Sequence, residues 1–194
     1  MTNRTRRITR IGSVAGYLVA VSGAIALLAT VLGLVPDQPW QTINDLVLLV
    51  LVAALAPLML SIYELGGLTP TRLAQLAQAL GWASVLTFCA IQLLQSPFGV
   101  RIEVPSGSFT AACLALGYVG LWISGANLLA GRWLGPLRWL GVLAGLAVTV
   151  FAASLLLLGG ADNPWTRLGG IGSLILVPAW AFVLARLLGR VSAG

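Results

Sequence analysis

The sequence predicts an all-α, polytopic membrane protein with six transmembrane helices, and three observations carry that prediction. The first is composition. Of 194 residues, 59% are hydrophobic and 8% charged, whereas soluble globular chains carry roughly 45–50% apolar and about 25% charged residues. So little charge cannot cover a soluble fold of this size, which makes lipid the solvent for most of the chain. The second is where the charges fall. Six stretches hold none: 11–36, 46–63, 73–100, 104–131, 139–161 and 168–185. The two shortest, 46–63 and 168–185, have 18 residues each. That is about 27 Å of helix at roughly 1.5 Å per residue, close to a ~30 Å hydrocarbon core, and flanking charges snorkel the remainder. The third is asymmetry of sign. With the N-terminus in the cytoplasm, Arg4, Arg6, Arg7, Arg10, Arg72, Arg132, Arg138, Arg186 and Arg190 face inward. Only Arg101 and Arg167 face outward, where Asp37, Asp45, Glu103 and Asp162 also fall. This positive-inside pattern puts both termini in the cytoplasm. Spans of this length are helices because, in lipid, each backbone group must find its partner within the segment.

The first helix is expected over 12–35. Four Arg precede it, as they would a signal peptide, but the apolar run is far longer than an h-region of about 7–15 residues and no small-residue cleavage site closes it. The second is expected over 45–65, stopped by Gly66-Gly67. The third, over 73–95, follows a Thr69 cap and Pro70 at the first helical position. Ser96-Pro97-Phe98-Gly99 and Pro105-Ser106-Gly107-Ser108 are turn chemistry. Ser106 or Ser108 then caps the fourth helix, over 108–130. Val100–Val104 alternates apolar and charged residues, as a short interfacial strand or an ordinary loop would. The fifth helix is expected over 137–158, stopped by Gly159-Gly160, and the sixth over 167–189, entered through Asn163-Pro164. The loops are all short, so 1–194 reads as one transmembrane domain. An Arg-rich, Lys-free chain with short loops suits a GC-rich bacterium and its plasma membrane.

Two patterns bear on packing. Segments beginning at Pro57, Gly120 and Pro178 align, as three helical-hairpin repeats in parallel would; shared Leu, Ala and Gly content gives the same match. Small residues recur four apart at Gly12, Gly16, Ala20 and Ala24, and again at Gly141, Gly145, Thr149 and Ala153. Such stripes let membrane helices approach closely, here expected within the chain rather than between two copies.

Much chemistry is excluded. With no His and no Lys there is no imidazole metal site, no bis-His haem, no His general base and no Lys Schiff base. H-E-x-x-H and G-x-S-x-G are absent. Cys89 and Cys113 lie inside apolar runs and read as small buried hydrophobes. No cofactor, metal or catalytic set is expected. The net charge of +6 belongs to membrane orientation, so no nucleic-acid partner is expected.

The candidate polar or ligand-lining residues are Glu64, Asn127, Arg186, Trp122 and Trp180. Glu64 is the one acid on the inner side. It pairs with Arg186 or Arg132, or serves as a proton-coupled or cation-binding carboxylate. Asn127, like Gln92 and Gln95, is read as an amide bonding across helices, worth about 1 kcal/mol or less. Trp122 and Trp180 lie deep with Trp82, Tyr17 and Tyr118. They line a cavity for an apolar or cationic ligand, or else face lipid or fill the core, the commoner case. Trp40, Trp165, Trp133 and Trp139 suit the two interfaces. Pro57 and Pro178 kink the second and sixth helices, and any ligand site is expected between the kinks.

The stretches Gly120-Leu-Trp-Ile-Ser-Gly-Ala-Asn-Leu-Leu-Ala-Gly-Arg132, Leu134-Gly-Pro-Leu-Arg-Trp-Leu-Gly-Val-Leu-Ala-Gly145 and Gly169-Gly-Ile-Gly-Ser-Leu-Ile-Leu-Val-Pro-Ala-Trp180 resemble uncharacterised six-helix bacterial integral membrane proteins, grouped as domain-of-unknown-function families of high-GC bacteria. The resemblance implies the six-helix fold and carries no activity or site residues. Three functional classes remain. The favoured one is a non-enzymatic accessory, assembly or interaction module, whose partners are the lipid bilayer and other membrane subunits. The alternatives are a small transporter or channel for a small solute or ion, and a lipid-modifying enzyme or receptor.

Overall fold

A computed structural model describes residues 2–32, 40–66, 71–95, 107–158 and 163–193, without the side chains of 40–42, 95, 131 and 132. The helices are α1 (Asn3–Val31), α2 (Trp40–Leu65), α3 (Arg72–Gln95), α4 (Ser108–Leu129), a single turn α5 (Gly131–Leu134), α6 (Leu137–Leu158) and α7 (Pro164–Ala193). Six of them are long and apolar enough to cross a membrane, and the described residues contain no strand. The fold class is therefore the one the composition predicts.

The differences lie at the helix ends and have local causes. α1 starts at Asn3 rather than near 12, because the Thr2 hydroxyl accepts from the Thr5 N–H at 3.2 Å and Arg is a good helix former. Charge bars Arg4, Arg6, Arg7 and Arg10 from hydrocarbon but not from a helix, so α1 continues past the apolar run. α7 likewise runs on to Ala193 through Arg186 and Arg190. The Ala74 N–H donates to the Thr71 hydroxyl at 3.2 Å, the role expected of Thr69, which lies with Pro70 outside the described residues. α4 is preceded by Gly107 at φ 103° without a side-chain cap, a left-handed conformation that glycine adopts freely. Ser108 is thus inside the helix, and Ser106 lies outside the described residues, as do Val100–Val104 and Gly159-Gly160. The α7 start is as expected: the Trp165 N–H donates to Asn163 Oδ1 at 2.9 Å.

The six long helices close into a ring in chain order. α1 packs on α2, α2 on α3, α3 on α4, α4 on α6, α6 on α7, and α7 back on α1. An even number of crossings leaves Asn3 and Ala193 at one end of the bundle, the terminal end; the other is the distal end. The two helices of each aligned hairpin are neighbours in this ring.

Close approach of small residues holds the ring together. Gly12 lies against Ser61 and Leu188, Gly16 against the Ala181 carbonyl and Ala185, and Gly23 against Pro178. The buried line on α1 is thus Gly12, Gly16, Val19, Gly23 and Ala26, while Ala24 is exposed. A strict four-residue step overshoots the turn by about 40° each time, because a helix has ~3.6 residues per turn; alternating steps of three and four stay on the face. On α6, Gly145 meets the Gly120 carbonyl and Ser124, and Gly141 meets Asn127. Both stripes pack within the chain. Between them, Leu58, Met59, Ile62, Ile123, Trp180, Leu184 and Leu188 are fully buried and fill the terminal half of the ring.

Candidate functional site

Polar side chains inside this ring tie helices together. The Asn127 carboxamide is used at both ends: Nδ2 donates to the Ile123 carbonyl at 2.8 Å, and Oδ1 accepts from the Trp180 indole N–H at 3.0 Å. The Trp122 indole N–H donates to the Tyr63 hydroxyl at 3.1 Å, with its ring against Gly81 of α3. Ser13 donates to the Ala185 carbonyl at 2.9 Å, and Ser124 to the Val142 carbonyl at 3.0 Å. The Ser61 hydroxyl lies 3.1 Å from the carbonyls of both Ile8 and Pro57. Thr149 bonds the Gly145 carbonyl at 3.0 Å and reaches the Gly117 carbonyl at 3.3 Å. These ties all lie in the terminal half or at mid-depth.

The structure therefore sorts the five candidate residues. It brings Asn127 and Trp180 together, and sets Trp122 apart from them against Tyr63 and Gly81. Trp122 and Trp180, 3% and 0% exposed, fill the core. Trp82 and Tyr17 face outward. Glu64 is half-buried at the terminal end of α2 and has no hydrogen-bond or ion-pair partner among the described residues. The expected Glu64–Arg186 pair does not form. The ring inserts α1 between α2 and α7, and Arg186 is exposed, with its guanidinium 5.9 Å from the Phe182 ring centroid. The side chain of Arg132, the other expected partner, lies outside the described residues.

What the sequence did not announce is a chamber in the distal half. Its volume is about 340 Å³ and all six long helices contribute to its wall. Leu51 and Leu55 of α2, Leu116 and Val119 of α4, Phe151 of α6 and Val177 of α7 make it apolar. From Phe109 to Val119 on α4 it runs about 15 Å, at roughly 1.5 Å per residue. That is half of a ~30 Å hydrocarbon core, or one leaflet. No charged side chain among the described residues lines it. Its polar atoms are few. Thr30 and Ser173 turn their hydroxyls onto the carbonyls of Ala26 and Gly170, both at 2.8 Å. Asn44 and Gln92, near the distal ends of α2 and α3, have no hydrogen-bond partner among the described residues. Leu58, Met59 and Trp180, each 0% exposed, belong to the packed core and not to its wall.

Only the kinks hinted at this place. The lining residues Leu55 and Val177 lie within two residues of Pro57 and Pro178, between which a ligand site was expected. The wall itself left no signal, since a Leu or Val facing a void has the same sequence pattern as one facing lipid. No family model matches the chain, and neither a curated protein nor a solved structure matches it.

Proposed function

We propose that this integral membrane protein is a non-enzymatic module that holds an apolar molecule inside its ring of helices. The observation that carries the reading is the distal chamber, walled by all six long helices and apolar. Ligand sites are commonly concave, mostly apolar and a few hundred Å³ in volume. Asn127, the Trp122 and Trp180 indoles and the hydroxyls of Ser13, Ser61 and Ser124 add to the case, because each makes a hydrogen bond that joins helices. The test is a crystal of the delipidated protein pressurised with xenon, which enters dry apolar cavities. Xenon density in the distal chamber is the expected result, and its absence there would overturn the reading.

We further place the protein in a bacterial plasma membrane with the terminal end in the cytoplasm, alongside the six-helix domain-of-unknown-function proteins it resembles. The support is the clustering of Arg4, Arg6, Arg7, Arg10, Arg72, Arg138, Arg186 and Arg190 at that end, against Arg167 at the other. Cysteines at Thr2 and Ala193 should react with a membrane-impermeant maleimide only after the cells are opened. A second reading, a small ion transporter, draws on Glu64, a half-buried carboxylate without a partner among the described residues. It requires a proton or cation flux in reconstituted vesicles that Glu64→Gln abolishes.

A further inference from the structure

We infer that the distal chamber houses one acyl tail of a bilayer glycerolipid, drawn from the leaflet opposite the termini and admitted sideways past α3. This deepens the proposed apolar-binding reading and rests on it.

Size and shape select a tail. The chamber is one leaflet deep, and its ~340 Å³ holds on the order of ten methylene groups if each takes roughly the ~30 Å³ share of a water molecule. That is one chain and not two. Left empty, the apolar walls forfeit dispersion contacts in proportion to the void. Water does not replace them, because a buried water needs two to four polar partners, and the polar groups here lie toward the distal ends of the helices. A bilayer surrounds the chamber with hydrocarbon tails at very high local concentration, so a tail is the occupant closest to hand. A tail gains little simply by leaving lipid for another apolar place. The void it fills and the amides it meets must favour binding. Asn44 and Gln92 line the chamber with amide groups that have no partner among the described residues, and an amide N–H suits the ester carbonyls at the head of an acyl chain.

The way in is beside α3. Its buried residues are Ala74, Gly81 and Val85, and no described residue beyond Val85 is buried. Gly81 docks on Trp122, and Ala77 accepts from the Tyr118 hydroxyl at 3.4 Å, both on the terminal side of Val85. Among the described residues, the remainder of α3 gives the chamber wall Phe88 and Gln92. α3 is the least buried of the six long helices and has no buried residue past Val85, so its distal half has the least packing to lose on opening.

The test is native mass spectrometry of the full chain released from phosphatidylcholine vesicles. We expect one phosphatidylcholine retained per chain. Ala112→Phe and Leu174→Phe, which place rings in the chamber from α4 and from α7, should each lower retention at least tenfold; whichever folds serves. A cross-link between cysteines introduced at Cα-compatible positions on the distal halves of α3 and α4, formed before exposure to lipid, should slow loading at least tenfold. Retention equal in the filled variants, or no lipid retained by the native chain, overturns the tail assignment. Unslowed loading of the cross-linked chain overturns the route. If xenon fills the chamber while no lipid is retained, the tail assignment falls and the apolar-binding reading stands; if xenon is absent too, both fall.

Discussion

The Trp180 indole N–H donates to Asn127 Oδ1 across 3.0 Å, bridging α7 and α4, which are not adjacent in the ring. Both residues are 0% exposed, so neither has water to turn to. Asn127→Leu leaves that N–H unpaired and presses a branched side chain toward Gly141. We expect a loss of about 1–3 kcal/mol, the usual cost of an unsatisfied buried donor. Trp180→Phe should cost less through the hydrogen bond alone, about 1 kcal/mol, plus lost packing. Reversible unfolding in a detergent titration, run as a double-mutant cycle, gives the coupling. A coupling near zero would refute the bridge.

Gly81 is the point where α3 docks. A Cβ there collides with the Trp122 ring, which Tyr63 holds from the other side. Gly81→Ala should destabilise by roughly 1–3 kcal/mol, as overpacking does. Trp122→Leu, though harmful alone, should erase most of that penalty in the double variant. Thermal unfolding in detergent reads both.

On α1, neighbouring positions should behave oppositely. Gly23 rests on Pro178, while Ala24 is exposed. Gly23→Leu should prevent the α1–α7 contact and sharply reduce folded yield, whereas Ala24→Leu should stay within about 0.5 kcal/mol of the native chain. Equal effects would mean that the stripe follows the strict four-residue spacing after all.

Glu64 and Arg186 do not meet, so Glu64→Gln and Arg186→Ala should be energetically independent. Their effects on stability should add within about 0.3–0.5 kcal/mol, as for distant sites. A larger coupling, measured by the same unfolding titration, would show that the two side chains find each other.

The sequence by itself determined six helical spans, their alternation and the end of the bundle that gathers the arginines. Those follow from how far charge can sit from hydrocarbon, a property of each segment taken alone. It also placed Gly12, Gly16, Gly141 and Gly145 at helix contacts, since small residues have few other reasons to recur on one face. Tertiary structure decided the rest. It settled that Asn127 meets Trp180, that Glu64 and Arg186 stay apart, and that the stripe on α1 slips from Ala20 to Val19. It alone decided that Leu51, Leu116 and Phe151 border an open space. In a water-soluble protein, polarity distinguishes inside from outside. Here lipid and interior are equally apolar, so which residue faces which is written in the fit of one helix against the next.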